Sequence, residues 1–186
     1  MKIILDLETN GLPEKKGNDF YNPSDTLKYE NSRIVQIGYI MIDNSNEIIA
    51  RKSFLVKPTF EITNSNIHGI TKETALKYGL DIEDILRILE HDFKNCNLFI
   101  SHNIPFDKNV LLSEIYRINK FSSLLICLIT TSTFCTMENG RKKFTLQKFP
   151  KLIELFKLCY PNEKWIQIHD ALDDCEKCLK CYKKIS

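Results

Sequence analysis

Two carboxylates, Asp6 and Glu8, stand two residues apart in the run KIILDLE near the start of the chain. Ile3, Leu5 and Leu7 alternate with Ile4, Asp6 and Glu8, the two-residue period of a strand, so both acids point to one face. Carboxylates roughly 7 Å apart along such a face repel each other unless a cation lies between them or one stays protonated. A divalent metal is the economical account, although an isolated pair of this kind is more often the solvated face of an edge strand. The context narrows the choice. TNGLP follows as a tight turn that exposes backbone donors beside the acids, where a phosphate or base could be received. Further along, SHNIPFD places Asp107 in the first turn of a helix opened by Pro105, a position that the helix dipole alone would favour for an acid. Near the end, HDALDD puts His169 just before a terminal helix and Asp174 five residues on; alone, His169 could equally cap the helix or lie on the surface.

The elements that must position these residues follow from periodicity. RIVQIGYIMID at 33–43 and EIIARKSFLVK at 47–57 are β-rich and joined by Asn44, Ser45 and Asn46, an antiparallel hairpin. Ile82, Ile85, Leu86, Leu89 and Phe93 recur at helical spacing. LFIS at 98–101 reads as a short buried strand, the segment after Pro105 as a helix, LLICLI at 124–129 as a fifth strand, and 150–159 and 170–185 as helices. The order is βββαβαβαα. Three strands followed by alternating helix and strand predict an α/β fold with a mixed five-stranded sheet and helices on its faces. The long segment Pro13 to Ser32, rich in breakers and charge, leaves the first strand just after the acids and is expected to border the site as an irregular loop.

The bulk properties set limits without choosing a partner. With 186 residues, 43% of them hydrophobic, one domain spanning 1–186 with one sizeable core is expected. Lys and Arg number 26 against 24 Asp and Glu, and the net charge of +2 identifies no nucleic-acid binder by itself. No apolar run approaches membrane-spanning length, and the acids at positions 6 and 8 break what could have been a signal-peptide core. Seven cysteines, an odd number without disulfide-framework spacing, suit a reducing intracellular setting such as the cytoplasm. Cys175, Cys178 and Cys181 are spaced closely enough to suggest zinc, but no second ligand pair follows, and helical packing of small residues is the favoured account. His68 in NIHGIT and His102 in SHN read as structural histidines. Arg141, Lys142, Lys143, Lys15 and Lys16 either hold backbone phosphates or are solvated loop charges.

Taken together, DLETNGLP, SHNIPFDKNVL and HDALDDCEKC resemble, in order, the three motifs of the DEDDh exonucleases, the DnaQ-like proofreading group of the ribonuclease H-like superfamily. The resemblance covers nearly the whole chain, and RIVQIGYIMID, NIHGIT, FCTM and FPKLIELF are similar to the connecting pieces of stand-alone members. It implies a ribonuclease H-like fold and metal-dependent 3′→5′ hydrolysis of phosphodiester bonds, releasing nucleoside 5′-monophosphates from single-stranded 3′ ends. It also implies two divalent cations, Mg²⁺ or Mn²⁺, held by Asp6, Glu8, Asp107 and Asp174, with Asp6 shared between them and His169 as general base. A histidine's ordinary pKa of about 6.5 suits that task. Asp170 and Asp173 fall outside the ligand pattern and read as caps or surface acids. Thr9, Asn10, Gly11, Leu12, Asn103 and Phe106 align with positions that meet the terminal nucleotide. DNA is slightly favoured as substrate; RNA 3′-end trimming, or a silent nucleic-acid-binding module that keeps the fold, are the alternatives.

Overall fold

Strand alternation at the start of the chain survives folding as a two-sided sheet. The computed structural model describes all of residues 1–186. In chain order it contains β1 (Lys2–Thr9), β2 (Lys15–Lys16), β3 (Asp19–Phe20), a 3₁₀ turn (Thr26–Ser32), β4 (Ile34–Ile42), β5 (Ile48–Leu55), α1 (Ser65–His68), α2 (Lys72–Tyr78), α3 (Ile82–Phe93), β6 (Leu98–Ser101), α4 (Ile104–Ile118), α5 (Ser122–Thr130), β7 (Ser132–Cys135), α6 (Thr136–Lys143), α7 (Leu152–Cys159) and α8 (Ala171–Ile185). The main sheet has the order β5–β4–β1–β6–β7. β1 pairs antiparallel with β4 and parallel with β6; β4–β5 is antiparallel and β6–β7 parallel. The mixed five-stranded sheet with helices on both faces is thus the expected α/β architecture.

Each face has its own apolar layer. Ile3, Leu5 and Leu7 pack with Tyr39, Leu86, Leu89, Phe93, Val110 and Leu111, under α3, α4 and α5. Ile4, Ile40 and Ile100 pack on the opposite side with Leu155, Phe156, Cys175, Cys178 and Leu179, under α7 and α8. Removing an Ile, Leu or Phe side chain from water contributes about 1.5–3 kcal/mol, so both layers matter to stability. The three helical cysteines are buried in the second layer, in keeping with the packing account.

Two segments differ from the sequence-based expectation. LLICLI is not a strand: it lies within α5, and the fifth strand is the next run, Ser132–Cys135. A wholly apolar run carries no period by which to tell strand from helix. In the fold Leu124 and Leu128, four apart, are fully buried, whereas Ile126 and Ile129 are exposed, a helical stripe. Pro13 to Ser32 is more ordered than a loop: it forms the β2–β3 hairpin around Gly17, at φ +66°, and then the 3₁₀ turn.

Candidate active site

The register between β1 and β4 builds the site's floor. Ile4 faces Ile40, Asp6 faces Gly38 and Glu8 faces Gln36, all on the side covered by α8. Gly38 is required there, because a Cβ would stand 2.5 Å from the Ala171 carbonyl carbon and from the Leu172 nitrogen. Its bare backbone lets the first turn of α8 close over the sheet beside Asp6. Gln36 fastens that turn: its Nε2 donates to Asp170 at 2.8 Å and its Oε1 accepts from the Ala171 amide at 3.1 Å. Asp170 caps α8, accepting from the amides of Leu172 and Asp173 at 3.1 and 3.0 Å. Asp173 accepts from the Trp165 indole at 2.8 Å and from Lys177. Both are the structural acids expected, and Asp174, one turn into the helix, faces the β1 acids.

The second support is α4. Asn103 precedes it in the left-handed conformation, at φ +81°, and Pro105 lies in its first turn. The turn inserts Asp107, 2% exposed, where Ser101 at the end of β6 donates its hydroxyl to the carboxylate. His169 is itself at φ +53°, in the left-handed region that few non-glycine residues adopt, and such conformations cluster at functional sites.

The charges of these acids act on one another. Burial, then the charges of Asp107, Asp174 and Glu8, hold the Asp6 carboxyl well above the usual range. Burial, then Asp174, Asp170 and Asp107, push Glu8 up to about 8. Burial raises Asp107 to about 7, against the opposing pull of the Ser101 hydroxyl and nearby backbone amides. Burial raises Asp174 to about 6, with the Gln167 hydrogen bond and the charge of His169 acting the other way.

Ligand atoms of Glu8, His169 and Asp174 lie within 4.8 Å of one another. Asp174 receives Gln167 Nε2 on Oδ2 at 2.7 Å, whereas its Oδ1 is buried with no hydrogen-bond partner. An orphaned carboxylate oxygen facing other acids and an imidazole fits a hard divalent cation with oxygen and nitrogen ligands. Asp6 and Asp107 lie outside that trio but are linked to each other, since Asp107 is the charge that raises Asp6 most.

The residues expected to meet a nucleotide divide into three groups. Thr9, Gly11, Leu12 and Phe106 line a cleft of about 410 Å³ together with Glu8, Asn64, Ile67 and His68. A register shift between Glu8 and Thr9 bends the strand here, while Thr9 stays paired with Ile34 and the Asn10 amide donates to the Arg33 carbonyl at 2.8 Å. Asn10 lies outside this lining: its side chain donates to the Glu61 carbonyl at 2.9 Å and accepts from the Thr63 amide at 2.7 Å, tying the turn to the segment before α1. Asn103 lines a neighbouring cleft with Lys15 and Phe20.

Two further residues adjoin the acids. His68, read as structural, is buried but lines the first cleft. Its Nδ1 accepts from the Ile70 amide at 3.1 Å, and its Nε2 is unpaired. Burial, then the nearby His169, lower its pKa. Gln167 supports Asp174 from an extended loop without a sequence signal. His102 is structural as expected, bridging the Thr136 hydroxyl and the Pro150 carbonyl, both at 3.0 Å, with burial pushing it down to about 4.

A family model described as exonuclease, RNase_T, matches residues 3–182. The chain belongs to this exonuclease family. Its fold is also that of E. coli exonuclease I: in a zinc-bound complex with single-stranded DNA the TM-score is 0.73 at 18% identity, over 98% of this chain and 39% of that one. A complex with a dT13 oligonucleotide gives 0.73 at 18% identity, over 100% and 42%. A structure described as apo exonuclease I gives 0.71 at 16% identity, over 98% and 41%. This chain therefore spans about two fifths of the exonuclease I chain's length. Among curated proteins, none matches it by sequence. No helix is long and apolar enough to cross a membrane.

Proposed function

We propose that this chain is a 3′→5′ exonuclease of the DEDDh type, removing nucleoside 5′-monophosphates from single-stranded DNA. The observation that carries this reading is the convergence of Asp6, Glu8, Asp107 and Asp174 beside His169, with Asp174 Oδ1 left unpaired. Membership of the exonuclease family supports it. The preference for DNA over RNA draws on the single-stranded DNA complexes of the similar exonuclease I.

Asp6, Glu8 and Asp174 would hold one divalent cation and Asp6 and Asp107 a second, Mg²⁺ or Mn²⁺ in both cases. When bound, such a pair acidifies water and offsets charge on the phosphate and the departing oxygen. The remaining work falls to the chain. His169 takes the proton of the attacking water as its oxygen joins phosphorus; the bond from phosphorus to the 3′ oxygen of the penultimate nucleotide breaks, and that oxygen gains a proton. Leu12 and Phe106 provide apolar surface for the terminal base, and the turn at Thr9 and Gly11 offers backbone donors. His68, whose buried Nε2 has no hydrogen-bond partner, lines the same cleft.

The test is to offer 5′-labelled linear single-stranded DNA, its circular form, and RNA of the same sequence, with Mg²⁺ and then Mn²⁺. Stepwise shortening of the linear DNA, survival of circles and arrest by EDTA are expected. Comparable cleavage of circles, or activity in excess EDTA, would overturn the proposal, and faster turnover of RNA would move the substrate assignment to RNA.

A further inference from the structure

We propose that a surface running from the Phe20–Phe106 pair to Phe149 and Arg141 binds the single-stranded DNA upstream of the terminal nucleotide. This inference rests on the nuclease reading above. Phe106 lines the cleft beside Glu8, and its ring lies 6.5 Å from that of Phe20 across an angle of 55°. Phe20 then lines a second cleft, of about 820 Å³, whose other walls include Lys15, Asn103, Met137 and Phe149. Phe149 also forms part of a third, of about 700 Å³, with Arg141 and Lys142. The two aromatic pieces thus join three clefts in sequence, beginning at the acids.

Phe20 and Phe149 each carry a cation on one face. Lys15 Nζ stands 4.5 Å from the Phe20 centroid and the Arg141 guanidinium carbon 4.6 Å from that of Phe149. Phe149 is 49% exposed although it is a large apolar side chain. Arg141 and Lys142, in the last turn of α6, line the third cleft with one acid, Glu138, which also lines the second cleft with Asp19 and Lys15. Alternating flat apolar faces and cations fit a polyanion with exposed bases, because bases stack on aromatics while Lys and Arg meet phosphates. The loop that presents Phe149 is held. Arg141 Nε donates to the Leu146 carbonyl at 3.3 Å, Thr145 adopts φ +52°, and Pro150 next to Phe149 accepts from His102 at the foot of α4. Preorganised platforms of this kind lose little freedom when a strand binds.

Steady-state kinetics on the full chain with Mn²⁺ test the surface, comparing a dinucleotide with an oligothymidylate of about a dozen nucleotides, a length within the usual range of single-strand sites. Phe149→Ala and Arg141→Gln, both at the surface, should raise KM for the long strand about tenfold, the scale of one lost base stack, while kcat/KM for the dinucleotide stays within about twofold. Arg141→Gln should also lower the slope of log affinity against log salt by about one. Fluorescence anisotropy of the same labelled strand in EDTA gives a readout independent of turnover. Unchanged long-strand KM and anisotropy in both variants would overturn the surface even if the wild type digests DNA. Weakened anisotropy in a chain that digests no strand would keep the surface and overturn the nuclease reading.

Discussion

Replacing Asp174 by Asn keeps the shape of the side chain and its oxygen for Gln167 while removing one negative charge from four crowded acids. In the metal-free protein burial lifts Asp174 from its ordinary 3.8 to about 6, a difference of about two pH units. Each unit corresponds to about 1.4 kcal/mol, so ionising this group in the fold costs at most about 3 kcal/mol above pH 6. The other acids share the effect, and about 1–3 kcal/mol is the expected gain for Asp174→Asn in EDTA at pH 8. The sign follows from linkage. A carboxyl whose folded pKa exceeds the unfolded value binds protons more tightly when folded, so it favours the fold at low pH. Wild-type stability should fall as pH rises from about 4 through 6, and the variant should lose that part of the slope. For a chain of this size the gain is a few degrees in Tm, at about 2–4 °C per kcal/mol. Mn²⁺ should reverse the order: at a hundred times its Kd it adds about 2.7 kcal/mol to the wild type, and much less to a variant without this ligand. Thermal melts at pH 5 and pH 8, with EDTA or with Mn²⁺, measure all four terms. A destabilised metal-free variant, or equal Mn²⁺ shifts in both proteins, would refute the assignment and return attention to Asp170 and Asp173.

Gly38→Ala should cost about 1–3 kcal/mol in chemical denaturation and reduce turnover severely, because the new Cβ meets α8 backbone at 2.5 Å; a fully active, equally stable variant would mean that α8 has room to move. His169→Ala should slow turnover about a hundredfold while keeping the Mn²⁺-induced rise in Tm; loss of that rise would make the imidazole, which lies in the trio with Glu8 and Asp174, a ligand instead of a base. Gln167→Leu retains bulk but removes the donor to Asp174, so the Mn²⁺ concentration for half-maximal activity should rise about 10–100-fold with kcat at saturation little changed. A lowered kcat with an unaltered metal midpoint would place Gln167 elsewhere in the reaction.

Where periodicity and chemistry reinforced each other, the sequence was informative. The two-residue period of KIILDLE placed Asp6 and Glu8 on one face, and β1 keeps them there because its other face is filled by Ile3, Leu5 and Leu7. Pro105 marked the turn that carries Asp107, and the spacing from His169 to Asp174 placed that acid in the first turn of α8. LLICLI failed for the converse reason, since a run without polar positions leaves strand and helix indistinguishable until packing selects Leu124 and Leu128. The tie of the Asn10 side chain to Glu61 and Thr63 was not legible, because its partners lie more than fifty positions away. Gln167, His68 and the role of Gly38 depend on how a loop and a helix end approach the sheet. No local pattern encodes such approaches.

The same geometry explains why the acids can be gathered at all. Asp107 and Asp174 each occupy the first turn of a helix, α4 and α8, where the positive end of the helix dipole offsets part of a carboxylate's charge. Asp6 and Glu8 lie on β1 and have no such helix of their own, and burial and neighbouring charge raise both. The helix ends thus offset only part of the cost at Asp107 and Asp174, and the strand pair has no such offset. On the proposed reading a cation would sit where the acids are least satisfied, between the β1 acids and their helical partners. Stability without metal and affinity for metal are consequently opposed at these positions, and a variant that relieves the repulsion must also weaken the site.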